Sequence, residues 1–119
     1  TIKHKRRKKK PYSRSKHAFT HAHKQLAHLK KQSKAEKLYS LFIELFADKY
    51  NAPLSAISIS FMEECLAKKN APDELINNWL VFFDTITQRA FATQGDNQYD
   101  NTLFNQAEEW LRQLERLLS

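Results

Sequence analysis

Residues that make tight turns are scarce in this sequence. Its 119 residues include only one Gly and three Pro. An all-β domain of this length needs many turns, and turns draw heavily on these two residue types. Hydrophobic residues make up 41% of the chain, which is enough for a buried core. The sequence therefore predicts a single all-α domain made of long helices.

Apolar residues recur at helical spacing in five segments. The first, at about 15–31, is weakly amphipathic and has a basic outer face. The second ends near Asn51, because Pro53 disfavours helical geometry in the residue before it. The last, TLFNQAEEWLRQLERLL (102–118), carries a narrow apolar stripe. Together the segments predict a small four- to five-helix bundle over residues 15–119.

Polar residues at the segment boundaries predict how some helices begin and end. Ser33 with Glu36, and Ser60 with Glu63, have the spacing of a capping box. In that motif each side chain satisfies a free backbone N–H at the helix start. Gly95, the only Gly, falls where a left-handed C-terminal cap is expected.

The segment PDELINNWLVFFDTITQRAFATQG (72–95) is the most apolar, and its hydrophobic residues, including Phe91, cover most of a helix circumference. We therefore expect it to form the central helix. Truncating a buried aromatic costs about 3–5 kcal/mol, so we expect Trp79→Ala to unfold the domain. The predicted core consists of Leu38, Phe42, Leu45, Phe46, Phe61, Leu66, Leu75, Trp79, Phe82, Phe83, Ile86, Trp110 and Leu114.

Charge divides the chain into two unlike parts. Residues 1–31 hold 12 Lys or Arg and no Asp or Glu, whereas residues 32–119 hold 8 Lys or Arg and 13 Asp or Glu. Residues 1–14 have no apolar periodicity and are predicted to be a disordered basic tail. The candidate residues for binding a membrane surface or another polyanion are Lys3, Lys5, Arg6, Arg7, Lys8, Lys9 and Lys10.

No residue pattern in the sequence indicates an enzyme. Cys65 lies on an apolar face, far along the chain from every His, which indicates a buried hydrophobe rather than a nucleophile. His17 and His21 share a helix face with His28 nearly in line, but no Asp, Glu or Cys nearby completes a metal site. DNQYDN (96–101) lacks the Gly and the bidentate Glu of a calcium loop. We therefore predict no catalytic residues, no metal and no cofactor.

Two explanations of the basic tail remain. On nucleic acid, its cations would release counterions from phosphates, without an aromatic platform to add specificity. Beside a membrane, a Lys/Arg cluster binds anionic lipid and fixes orientation, but it needs a membrane span upstream. The chain has no run of about 18 apolar residues. Because it begins with Thr1 rather than Met, we expect it to be a fragment whose parent protein supplies the span.

From Ser33 onward, the order of features resembles the C-terminal cytoplasmic region of BatD-like aerotolerance proteins. The resemblance is carried by three stretches: KLYSLFIELFADKYN, SISFMEECLAKKNAPDELINNWLVFFDTITQRAFA and NQAEEWLRQLERLL. Within the second stretch, NAPDE (70–74) stands for the family's turn. QRAFA (88–92) stands for the end of its long apolar helix, with Phe91 in place of the usual Tyr.

This resemblance implies a single-span parent with β-rich domains outside the cytoplasmic membrane and this helical domain inside, at the cytoplasmic face of a bacterial inner membrane. It implies a non-catalytic scaffold in stress or oxygen tolerance, with von Willebrand A-type proteins and a MoxR-type ATPase as partners. The alternative is a helical protein that binds nucleic acid non-specifically through its tail and first helix. A metal-dependent enzyme built on the His cluster ranks last.

Overall fold

The computed structural model describes the backbone of residues 2–92 and 100–118, and the side chains of 14–92 and 100–118. This part of the chain forms five α-helices: α1 (Ile2–Gln32), α2 (Leu38–Tyr50), α3 (Ile59–Lys68), α4 (Asp73–Phe91) and α5 (Asp100–Leu118). Short 3₁₀ turns at Ala35–Lys37 and Leu54–Ala56 precede α2 and α3. Within the described residues there is no strand, and the predicted all-α bundle is confirmed.

The first helix is longer than the one predicted at about 15–31, because its backbone is helical from Ile2. The side chains of 1–13 lie outside the described part of the structure, so the predicted disorder of residues 1–14 stays a prediction. Further along α1, the side chains that face the bundle are buried: Ala18, Phe19, Ala22, Leu26 and Leu29. Residues 15–31 therefore pack on the body of the domain and do not form a separate stalk.

Ser33 ends α1 and does not begin α2, so the predicted capping box of Ser33 and Glu36 is wrong. Ser33 has a left-handed backbone with φ of 56°. The N–H of Lys34 donates a hydrogen bond of 3.0 Å to the carbonyl of Leu29. This is the bond by which a left-handed residue closes the last turn of a helix. Because α1 runs to Gln32, Ser33 is used for that closing turn.

The second capping box is also wrong, because α3 begins two residues earlier than predicted. Ser58 has extended backbone geometry, and its Oγ accepts a hydrogen bond of 3.1 Å from the N–H of Phe61. Ser60 lies exposed in the first turn of the helix. The predicted end of α2 is confirmed, since Asn51 takes the left-handed conformation directly after Tyr50. Gly95 lies outside the described residues.

The core is an aromatic cluster around Trp79 of α4, which is fully buried. Its ring centroid lies 5.3–5.9 Å from those of Phe42, Phe46, Phe82, Phe83 and Trp110. Aromatic rings at such separations attract one another beyond their shared burial. Most of the predicted core residues are buried around this cluster: Leu38, Phe42, Leu45, Phe46, Leu66, Trp79, Phe82, Phe83, Ile86 and Leu114.

Three predicted core residues are only half-buried, because each lines an open edge of the bundle. Phe61 and Trp110 pack against the core from its margin. Leu75 lies outside the core cluster and borders, with Trp110, a groove between the start of α4 and α5. These three predictions placed the right residue type on the right helix but too deep in the domain.

The helix that is enclosed most completely is α2, and not the predicted α4. Six of the 13 residues of α2 are buried, against four of the 19 residues of α4. The reason is position, since α2 contacts α1 on one side and α4 on the other. One side of α4 faces solvent, where Val81 is 67% exposed and Phe91 69% exposed. The apolar residues that cover most of the circumference of α4 are therefore not all buried, although Trp79 lies at the centre of the core.

Candidate interaction surface

The first described side chains of α1 are fastened to the C-terminal end of α2. The Arg14 guanidinium donates hydrogen bonds to three acceptors there: Asp48 Oδ1 at 3.0 Å, Asn51 Oδ1 at 3.1 Å and the Ala52 carbonyl at 3.3 Å. The next residue, Ser15, donates a hydrogen bond of 2.8 Å from its Oγ to the Lys49 carbonyl. Carbonyls in the last turn of a helix lack partners within the helix, and the Lys49 carbonyl that Ser15 binds is one of them.

A second set of contacts fastens α1 to α5. Lys30 Nζ donates a hydrogen bond of 2.7 Å to Glu108 Oε1, and His23 Nε2 lies 3.0 Å from Glu115 Oε1. An open groove of about 420 Å³ runs between these helices. The charge division of the sequence explains why basic α1 pairs with acidic groups of the body. The individual pairs are up to 92 residues apart in the chain, and no local spacing marks them.

The outward face of α1 carries what we call the outer stripe: His17, His21, Lys24, His28 and Lys31. All five side chains are exposed. None of them has a hydrogen-bond or ion-pair partner among the described residues. In a helix, positions three and four apart share a face, so these five form one continuous row. The cations of the stripe thus differ from Arg14 and Lys30 of the same helix, which form ion pairs with acids of α2 and α5.

The predicted polyanion-binding residues lie in the same helix as the outer stripe. The helix α1 (Ile2–Gln32) includes all seven of them: Lys3, Lys5, Arg6, Arg7, Lys8, Lys9 and Lys10. Their side chains are outside the described part of the structure, and their role stays a prediction. Among the side chains of 14–92 and 100–118, no three His, Cys, Asp or Glu residues come together as a metal site would require.

Cys65 is buried, as predicted, and it borders a pocket of about 310 Å³ at the end of α2. Burial raises the pKa of the Cys65 thiol. The Tyr50 hydroxyl hydrogen-bonds to the thiol and acts in the opposite direction on that pKa. Burial also raises the pKa of Tyr50. Because a thiol must ionise to attack a substrate, this environment suppresses nucleophilic chemistry.

Arg89 and Asp100 form a largely buried ion pair that joins the end of α4 to the start of α5. The guanidinium donates from Nε to Asp100 Oδ1 at 3.0 Å and from its terminal nitrogen to Oδ2 at 3.2 Å. Glu36 lies 3.8 Å from the same guanidinium. This two-pronged geometry is the strong form of an Arg–carboxylate contact. Arg89 belongs to the QRAFA stretch of the resemblance, and here it ties the end of α4 to the start of α5.

Large apolar side chains are exposed at separate places on the domain: Leu54, Ile59, Val81 and Phe91. Phe91 still touches the Tyr39 ring edge-on, with centroids 5.4 Å apart. Scattered exposed hydrophobes are normal for a soluble surface. In the part of the chain that the structure describes, no helix has the length and hydropathy needed to cross a bilayer.

Comparisons with protein-family models, with curated proteins and with solved structures find no match to this chain.

Proposed function

We propose that this chain is a non-catalytic interaction domain that works at the cytoplasmic face of a bacterial inner membrane, within a BatD-like, single-span protein of stress or oxygen tolerance. The observation that carries the proposal is the attachment of a basic helix to an acidic body. Arg14, Lys30 and His23 hold α1 against α2 and α5. The seven cations at 3–10 precede this anchored part of the helix.

The membrane is favoured over nucleic acid by the composition of the basic segment. Residues 3–10 contain no Phe, Tyr or Trp side chain on which bases could stack. A Lys/Arg cluster next to a membrane span is the usual mark of the cytoplasmic side. Near an anionic leaflet, each such charge contributes about 1 kcal/mol of binding. Seven charges are enough to keep a domain of 119 residues close to the surface once a span tethers it.

The proposed partners are inferred from the resemblance alone. BatD-like proteins are associated with von Willebrand A-type proteins and a MoxR-type ATPase, and we extend that association to this domain. Its outer helix faces would supply the contacts, since no described side-chain group has the arrangement of a catalytic site. We further propose that the domain works without a cofactor or a metal ion.

Sedimentation with lipid vesicles tests the membrane role. The full chain should bind vesicles that contain phosphatidylserine and ignore those of pure phosphatidylcholine. Replacing the seven cations at 3–10 with Gln should remove most of the binding. A matched arm titrates the same two proteins with duplex DNA across a salt series. The nucleic-acid alternative is favoured if the full chain binds vesicles only weakly and the Gln substitutions reduce its DNA binding at least as much as its vesicle binding.

The reading frame of the parent gene gives an independent test. The proposal expects about 20 apolar residues shortly before Thr1, the length that a bilayer crossing needs. A start codon directly before Thr1, with no span anywhere in the frame, would refute the single-span parent.

A further inference from the structure

We propose that the outer stripe of α1 is a binding surface for anionic phospholipid headgroups, so that α1 lies along the membrane. This rests on the proposed function and names the side of the domain that faces the bilayer. It assigns a role to residues 17–31 that is separate from the role of the cations at 3–10.

The stripe is straight and lies opposite the buried face of its helix. Its spacing of four, three, four and three residues keeps the five side chains within about 80° of one another at 100° per residue. At 1.5 Å per residue, the stripe is about 21 Å long. The buried positions Ala22, Leu26 and Leu29 lie on the far side of the helix. The stripe is therefore the part of α1 that lies farthest from the core, and we call this line its crest.

Three of the four acids that flank the stripe contact neighbouring cations, and Glu44 has no ion-pair partner among the described residues. On the α5 side, Glu108 and Glu115 contact Lys30 and His23. On the α2 side, Asp48 contacts Arg14. Lys24 and Lys31 of the stripe have no such partner among the described side chains. Its three imidazoles add hydrogen-bond donors that suit phosphate oxygens.

The acids on both flanks favour a flat anionic surface over a groove. A helix in the major groove of DNA has phosphates on both sides as well as bases below. There, the phosphate walls would approach Glu44 and Asp48 on one flank and Glu108 and Glu115 on the other. Glu44 and Asp48 line the same crevice as His21, so they cannot be far from the crest. A flat bilayer surface would meet the crest first and stay farther from both acidic flanks than the walls of a groove would.

The crest has no apolar side chain that could enter the bilayer. The exposed residues beside the stripe include Lys16, Thr20, Ala27 and Gln32, none of them large and apolar. Binding through the stripe is therefore peripheral and electrostatic, and salt should weaken it. Such a contact orients a domain that is already held near the membrane, which is the situation that the proposed function creates.

The test compares two charge-matched double variants of the full chain. Lys24→Gln/Lys31→Gln removes two charges from the stripe. Lys68→Gln/Lys69→Gln removes two charges from the exposed end of α3. The probe is a vesicle of phosphatidylcholine with 30 mol% phosphatidylserine, at about 0.1 M salt. Circular dichroism first confirms that both variants keep their helices.

We expect the stripe variant to bind about 25-fold more weakly, at roughly five-fold per lost charge. The α3 variant should stay within about two-fold of the unaltered chain. Equal losses in the two variants would mean that net charge alone matters, and would overturn the inference. So would an unchanged stripe variant.

The tail variant separates this inference from the proposed function. If the tail substitutions abolish vesicle binding while the stripe variant binds normally, the proposed function stands and the stripe has no membrane role. If the stripe variant loses duplex-DNA binding but keeps vesicle binding, the stripe belongs to nucleic acid and the inference fails. Loss of vesicle binding in the stripe variant, with DNA binding much less affected, supports it.

Discussion

Replacing Trp79 with Ala tests the aromatic core most directly. A buried Trp removes about 200 Å² from water, which is worth about 5 kcal/mol at 25 cal/mol per Å². Two effects reduce this value. The Ala methyl keeps about 0.8 kcal/mol of the burial. Trp79 Nε1 has no hydrogen-bond partner in the described part of the protein, and its release to water offsets about 1 kcal/mol. The expected net loss is about 3–4 kcal/mol.

That loss is large compared with the stability of a small domain, which is about 5–15 kcal/mol. For a domain of this size, between the small and the medium class, each kcal/mol moves the thermal midpoint by about 3–6 °C. The midpoint of Trp79→Ala should therefore fall by about 9–24 °C, and a domain of low stability would be unfolded at room temperature. Thermal and urea unfolding followed by circular dichroism at 222 nm measure both quantities.

Two further variants make the result specific to the buried ring. Val81→Ala, two residues along the same helix, removes a side chain that is 67% exposed and should cost less than about 0.5 kcal/mol. Trp79→Phe keeps an aromatic ring and removes the unpartnered N–H, so it should cost about 1 kcal/mol. If Trp79→Ala shifts the midpoint no more than Val81→Ala does, the central placement of Trp79 is refuted.

Three other predictions concern single contacts. Arg89→Met should lower the unfolding free energy by about 3 kcal/mol, because it leaves the buried Asp100 carboxylate without its ion-pair partner. In a chain that already carries Arg89→Met, Asp100→Asn should cost much less stability than it does in the unaltered chain. Additive costs of the two substitutions in urea unfolding would contradict the pairing. Arg14→Ala should cost about 0.5–1 kcal/mol and speed hydrogen exchange of the α1 amides near residue 14, whereas unchanged exchange would show that its hydrogen bonds do not hold the helix. Cys65 should react slowly with iodoacetamide at pH 7, because burial raises its pKa. In the unfolded chain the thiol loses its proton first, so stability should fall as pH rises past about 9, the ordinary thiol value; a Cys65→Ala variant should lose part of that dependence.

The helices could be predicted from the sequence because burial acts through periodicity. Leu38, Phe42, Leu45 and Phe46 recur at intervals of three and four residues, and an α-helix places residues at these intervals on one face. Depth in the core is a different matter. Trp110 and Leu75 occur at the same helical spacing as the buried apolar residues, yet both lie at an open groove. Which stripe is covered depends on how the helices pack, and periodicity does not contain that information.

The helix ends show the same limit at the level of single serines. Ser33 and Ser60 each precede a Glu by three residues, and both were predicted caps. Ser33 instead takes a left-handed backbone to end α1, and Ser58 caps α3 in place of Ser60. Local spacing allows each of these choices. The length of α1, which the packing of Leu26 and Leu29 supports, decides where its final turn falls.

For the candidate surface, the sequence supplied the charge and the structure supplied its direction. A basic first segment and an acidic body can be counted from the residues, but their pairing joins positions 34–92 residues apart. The pairing matters because it uses up some cations and leaves others free. Lys30 and His23 serve the fold, whereas Lys24 and Lys31 on the same helix do not.

The attachment of α1 to the body also changes what a basic tail can do. On a loose tether, cations attract a surface without setting the orientation of the domain behind them. Here the outer stripe belongs to a helix that Arg14 and Lys30 tie to α2 and α5, so any plane that binds the stripe fixes the whole bundle relative to itself. Val81 and Phe91 of α4 are exposed and lie outside the stripe. If the proposed membrane contact holds, these side chains would stay accessible to partners, which a scaffold with a fixed orientation at a surface requires.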